Sequence, residues 1–337
     1  MVNRDVGRTF IRCVFSALSA GTVLLTGCGS NVTGATTSST LSAAVSNGPQ
    51  LGYLWDPVDS TLRPILGVPG SSQFGQSLTT PGAYVAGAAS AHSSIALLQA
   101  ATGTISSMAV PQGAPQLISG ATLTGAAQIA FSPSGLNAVI YKPGSSSVLL
   151  ISGLNANPQA QTLAAPTNLV AATISDTAQV ASASGRGPLT IALLTGNAAS
   201  VGTLGAFGGF TFLPRGNDLA LADSGTGAVT VIRNTTTSPA SQSFASNLIK
   251  TPLAIAASAD GAWVIVANGA DQSAVRLDLT GATAPLRIAC ACQPSQLTTF
   301  NGNAVFSLTP AGTTPGWIVD ASAASPRTAF IPAMVKP

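Results

Sequence analysis

The chain reads as all-β, a seven-bladed β-propeller of four-stranded antiparallel blades, and three observations predict this. Short runs of Val, Ile, Leu and Thr are punctuated by Gly, Pro, Asn and Asp, the pattern of strands joined by tight turns. No stretch of any length carries a convincing 3.6-residue period. One grammar (strand, tight turn, strand, Gly-rich turn, strand, looser fourth strand) recurs about every 42 residues, the spacing of propeller blades. The physical reason for a ring is that one small sheet cannot bury both of its faces. Packed between neighbours it can, and closing the ring leaves only short protected edges.

In chain order, residues 1–27 have the layout of a bacterial secretory signal. Arg4, Arg8 and Arg12 make a positive start, and Cys13–Leu25 is apolar or small with no charge. That core is too short for a membrane span, which needs ~20 residues, and has the length of a signal-peptide core. Leu25-Thr26-Gly27-Cys28 then resembles the lipobox of bacterial lipoproteins. The resemblance implies that Cys28 is acylated on its thiol, becomes the new N-terminus by cleavage, and is acylated again there. Each buried methylene adds ~0.8 kcal/mol, so several acyl chains hold a protein that one chain would not. Gly29 stands where an Asp signals inner-membrane retention in such lipoproteins, which favours the outer membrane, facing periplasm or cell surface. The Ser/Thr/Ala/Gly-rich, uncharged segment 28–48 reads as a tether, and 49–337 as the propeller domain.

Four copies of the repeat stand out, beginning at Ala127, Leu169, Gly208 and Pro252. Their first turns fall near Ser134, Asp176, Gly216 and Asp260, in steps of 42, 40 and 44. A further step forward lands on Gly302; steps back land on His92 and near Gln50, which makes seven units. Small residues on the first strands (Ala171, Ala172, Ala254, Ala256) suit a crowded central channel, and "RTAFIPAMV" after Ser325 reads as a closing strand. A β-sandwich pair does not explain the even spacing, and a transmembrane barrel needs an aromatic girdle that a chain with 5% aromatics does not supply.

"SADGAWVIVANG" (258–269) resembles the YVTN-type propeller repeat, "LALADSGTGAVTVI" (219–232) resembles the NHL repeat, and "FSPSG" (131–135) is similar to the Ser-Pro-Asp-Gly turn of such blades. The likeness covers residues 126–280 and, by spacing alone, the flanking units. It implies the propeller fold. Because seven-bladed lactonases share it, it also raises a hydrolase of small cyclic esters as the alternative to a binding or scaffold module. "SADGAW" lacks the residue that the Asp-box of sialidase propellers needs between Asp and Gly.

Composition limits the chemistry. Charged residues are 7% of the chain and Glu is absent. Removing residues 1–27 lowers the formal charge from +3 to +1, which excludes a strongly basic nucleic-acid footprint. His92 is the one histidine, so a Ser-His-Asp device or a His-rich metal site would have to use it. No catalytic residue, metal or cofactor is assigned. The second turns of the units carry Asp56, Asp59, Lys142, Arg186, Asp223 and Asp271, six of the 19 charges of the processed chain. They read either as a mixed-charge rim on the binding face, for a protein or polysaccharide partner, or as ordinary solvated loop charges. A monomer is expected, attached to the membrane through its lipid. Cys290-Ala291-Cys292 is a candidate disulfide in an oxidising compartment, strained unless the chain bends; two buried free thiols are the alternative, and no third and fourth ligand is at hand for a metal. Trp317, on the third strand of the last unit, reads as blade-to-blade packing.

Overall fold

A computed structural model describes residues 48–196, 199–312, 314–322 and 324–333. Cys28, the signal segment and nearly all of the tether lie outside the described residues. The strands group in chain order into seven antiparallel sheets, over residues 50–74, 84–122, 128–164, 169–204, 207–245, 252–289 and 298–331. Each sheet is an up-and-down meander in which sequence neighbours pair. Six show four strands, and three strands of the first lie among the described residues.

The predicted first turns at His92, Ser134, Asp176, Gly216, Asp260 and Gly302 all lie between the first and second strands of their sheets. Gln50, where the spacing put the turn of the first unit, opens the strand Gln50–Asp56. Its carbonyl and that of Leu51 accept hydrogen bonds from Asn301, in the first turn of blade 7 (3.1 and 2.6 Å). That strand therefore holds the second place of blade 1, and the turn that carries Asp56 and Asp59 is a second turn, as the repeat predicts.

Burial follows position in the blade. Second strands such as Ala138–Tyr141 and Val180–Ser184 are buried throughout, because both of their faces meet another sheet. Fourth strands such as Ala240–Ala245 are mostly exposed. An apolar cluster occupies each junction between successive sheets, for example Val139, Val148 and Leu150 with Leu169, Ile174 and Val180 between blades 3 and 4. Each fully buried Leu, Ile or Val contributes roughly 1.5–3 kcal/mol. The decisive cluster joins the last sheet to the first: Leu51, Leu54 and Ile65 pack with Phe300, Ile318 and Ile331. The ring is closed.

Closure proceeds by packing rather than strand exchange. The expected closing strand, Arg327–Ile331, pairs with Gly316–Asp320 inside blade 7. It reaches blade 1 through Arg327, whose guanidinium donates to the Pro69 carbonyl (3.2 Å). Near the axis the inner strands crowd one another. A Cβ on Gly208 would lie 2.8 Å from the carbonyl oxygens of Ala222 and Pro252, so only glycine fits there.

A serine follows the inner strand of four blades: Ser90, Ser132, Ser175 and Ser258. Each hydroxyl accepts from backbone amides of its own turn, those of His92, Asn137, Gln179 and Trp263 respectively (3.0–3.3 Å). This local capping is what Ser does well and is why the turns are tight. Neighbouring first turns are also joined: Ser93 Oγ donates to Gly135 O, the Ser134 amide to Asp176 Oδ1, Ser175 Oγ to Asn217 Oδ1, and the Asp260 amide to Asn303 Oδ1 (2.7–3.0 Å).

Candidate functional site

With each first strand at the axis, second turns and inter-blade linkers share one end of the wheel, and first and third turns share the other. Asp56, Asp59, Lys142, Arg186, Asp223 and Asp271 all sit on or beside second turns, so one end carries them all. Their side chains do different things there.

Most of the carboxylates turn inward. Asp56 is 1% exposed; it accepts from the amides of Val58 and Asp59 (3.0 and 3.4 Å) and from Arg63 Nε (2.7 Å). Arg63 also pairs with Asp59. Burial alone would raise the Asp56 pKa, but Arg63 and the two amides outweigh it and hold the group below its ordinary value. Asp223 accepts from the amides of Gly205, Ala206 and Gly225 (2.8–3.0 Å). Desolvation again opposes, and these amides with that of Thr226 pull the pKa down. Asp271 takes Ser273 Oγ (2.6 Å), Arg287 Nε (3.1 Å) and Asn268 Nδ2 (3.3 Å), with the same balance and the same direction. Asp223 thus ties its turn to the linker entering blade 5, and Asp271 ties its turn to the outer strand of blade 6.

The cations turn outward. Lys142 is exposed, and Arg186 is exposed with Nε donating to Asn168 Oδ1 (2.9 Å). Lys250, on the linker before blade 6, adds an exposed cation at the same end. The turn-by-turn reading of charge missed it because it lies on a linker.

At the opposite end the channel opens into a cavity of about 290 Å³, lined by the inner strands and first turns of blades 2 to 7. Its walls include Ala88, Ile129, Phe131, Phe210 and Ile255, with Thr173 and Thr299 among them. His92 stands exposed at the mouth. Packing around its ring holds its pKa below the ordinary value, and the negative charge of Asp176 works against that pull. Both Asp176 carboxylate oxygens are engaged, by the amides of Ser134 (2.7 Å) and Arg215 (3.1 Å). Among the described residues no group of three or more His, Cys or acidic side chains is placed to hold a metal ion.

Cys290 and Cys292 are joined by a disulfide, with Cα atoms 5.1 Å apart. The pair follows the strand Leu286–Ala289 rather than lying in it, so the chain bends and the separation falls well inside the usual range. Both cysteines are buried between blades 6 and 7. Trp317 is half-buried against the same cluster and stacks at a tilt on Phe330, with centroids 6.2 Å apart.

No protein-family model matches the chain, and no curated protein matches it. Solved structures do match in fold. A functionally unknown protein from Desulfotomaculum acetoxidans DSM 771 aligns with a TM-score of 0.60 at 13% identity, over 85% of this chain and 95% of its own. A streptogramin B lyase aligns at 0.54 and 14%, over 81% and 86%. The β-propeller domain of Cps50 (Swd1) from Myceliophteria thermophila aligns at 0.53 and 11%, over 76% and 89%. The class is therefore plain: this chain is a seven-bladed β-propeller. At such identities the likeness concerns fold alone, because one propeller frame carries unrelated activities.

Proposed function

We propose that this chain is an exported propeller, anchored to a membrane by acylation of Cys28, that acts as a binding or scaffold module for a protein or polysaccharide partner. The observation that carries this reading is the stiffness of the second-turn end. Asp56, Asp223 and Asp271 are spent on holding turns and linkers in place, while Lys142 and Arg186 are left at the surface. Loops already ordered before contact lose less entropy on binding, which suits them to recognition. The ester-hydrolase reading has less to stand on. The channel mouth brings His92 near one carboxylate, Asp176, whose two oxygens already accept amides.

The test places a photo-cross-linking residue at position 142 or 186, and separately at 237 on the opposite end, in intact cells. Adducts of one defined species from 142 and 186 alone support the proposal. Equal adducts from both ends, or the same pattern in cells with an unrelated lipoprotein, would dismiss the rim. Anchoring is tested by Cys28→Ala, which should move the protein from the membrane to the soluble fraction and remove the acyl mass from its N-terminal peptide.

A further inference from the structure

The cavity at the first-turn end has a chemistry of its own. Its volume, about 290 Å³, is at the lower end of the ~300–1,000 Å³ typical of small-molecule pockets, room for a single ring with its substituents. No Asp, Lys or Arg lines it; His92 is the titratable group at its edge, held toward its neutral form. A charged guest would lose hydration there and find no opposite charge. An uncharged guest would not.

Two kinds of surface meet inside. Phe131, Phe210 and Ile129 offer apolar faces. Between them lie residues with hydrogen-bonding groups, Thr173, Thr298 and Thr299. Each lining strand is the inner edge of its sheet, so the backbone N–H and C=O groups on that edge have no neighbouring strand and need another partner. Thr173 is 7% exposed and lines the cavity, yet its hydroxyl has no hydrogen-bond partner among the described residues. Ser90, Ser132 and Ser258 are occupied in their own turns and Thr211 Oγ1 donates to Phe212 O (3.3 Å), whereas the half-buried Thr298 and Thr299 line the cavity beside Thr173. A nearly buried residue whose hydroxyl has no protein partner, at a cavity that solvent reaches, marks a place for a ligand atom.

We propose that this mouth binds a small uncharged cyclic polyol, such as one neutral sugar residue, with the apolar face of the ring against Phe131 and Phe210 and a hydroxyl on Thr173 Oγ1. The site lies at the end of the wheel opposite the charged rim and depends neither on that rim nor on lipid attachment.

Saturation-transfer NMR on the full chain tests it, with glucose, galactose, mannose and myo-inositol as neutral probes and glucuronate and glucosamine as charged counterparts. At least one neutral probe should receive saturation and bind at least tenfold more tightly than the charged ones. Thr173→Val, nearly the same shape, should weaken that binding about two- to tenfold, the effect of one hydrogen bond, with an unchanged melting temperature. Ala130→Leu, which fills the cavity, should abolish it. Silence from all four neutral probes overturns the proposal. So does equal transfer to charged probes, or transfer that Thr173→Val and Ala130→Leu both leave intact.

Discussion

Phe300 tests whether the wheel is closed. Its ring is fully buried in the cluster that joins blade 7 to blade 1. Phe300→Ala removes that ring and leaves a cavity, at a cost of about 3–5 kcal/mol for a core Phe. One kcal/mol shifts Tm by about 2–4 °C at 150–250 residues; at the lower end, suited to this longer domain, the drop is about 6–10 °C. A second change probes the same contact from the other side. A Cβ on Gly52 would come 2.7 Å from Phe300 Cδ1, so Gly52→Ala overpacks the joint and costs about 1–3 kcal/mol. With Phe300→Leu in place the clash is relieved, though not the backbone strain of a side chain at φ +157°, and the double variant should lose less than the sum of the singles. The control is Phe212→Ala, equally buried but between blades 4 and 5. In a closed ring either cut destabilises the whole, so both variants should show one cooperative urea transition and faster hydrogen exchange in every blade. In an open array of repeats the terminal joint would fray alone. A Phe300→Ala variant that loses less than 2 °C, or opens only blades 1 and 7, would refute closure.

Three further outcomes are expected. Asp223→Asn should cost about 1–2 kcal/mol at pH 7, because the amides of Gly205, Ala206 and Gly225 lose a charged acceptor. The Asp223 pKa is depressed in the folded state, so its contribution is present above the unfolded value and lost as pH falls through the folded one; the gap between wild type and variant in urea melts should narrow as the pH is lowered below the usual carboxylate range. Reducing Cys290–Cys292 should cost only about 1–2 kcal/mol, since the loop it closes is very short; melts with and without reductant that differ by more than 10 °C would contradict this. Asp176→Asn removes the negative charge that raises the His92 pKa, so the pKa of the chain's one histidine, read by NMR, should fall further; a rise would mean that Asp176 does not act on it as placed.

Much of the fold is legible in the sequence because its periodicity is physical. The steps from Ser134 to Asp176, from Asp176 to Gly216 and from Asp260 to Gly302 are spacings between turns that are hydrogen-bonded to one another. Less legible is what the rim charges do. Asp223 and Lys142 look alike as loop charges, yet one is closed in by backbone amides and the other faces water. The difference depends on where the linker at Gly205 runs, which no single repeat records. The channel mouth was harder still. Thr173 is an ordinary strand residue in the sequence; its place in a cavity wall follows from the meeting of six inner strands, which one repeat alone does not show. The serine after the inner strand of four blades (Ser90, Ser132, Ser175 and Ser258) was a visible signal, and it would have marked that end.

The same register explains why the two ends of the wheel differ. First turns bond to first turns: the Ser134 amide reaches Asp176 and Ser175 Oγ reaches Asn217, each 42 residues on. A side chain there serves its neighbour, so the serines at the channel mouth are consumed in holding the ring, and the threonine hydroxyls left over become informative. Second turns are tied within their own blade or to the adjoining linker, as Asp271 to Arg287 and Asp223 to Gly205. Their outer residues can therefore vary without loosening the wheel. Charge placed there costs the fold little. An end whose surface can change freely while its backbone stays fixed is where a partner's preferences can be met, and that is where Lys142 and Arg186 stand.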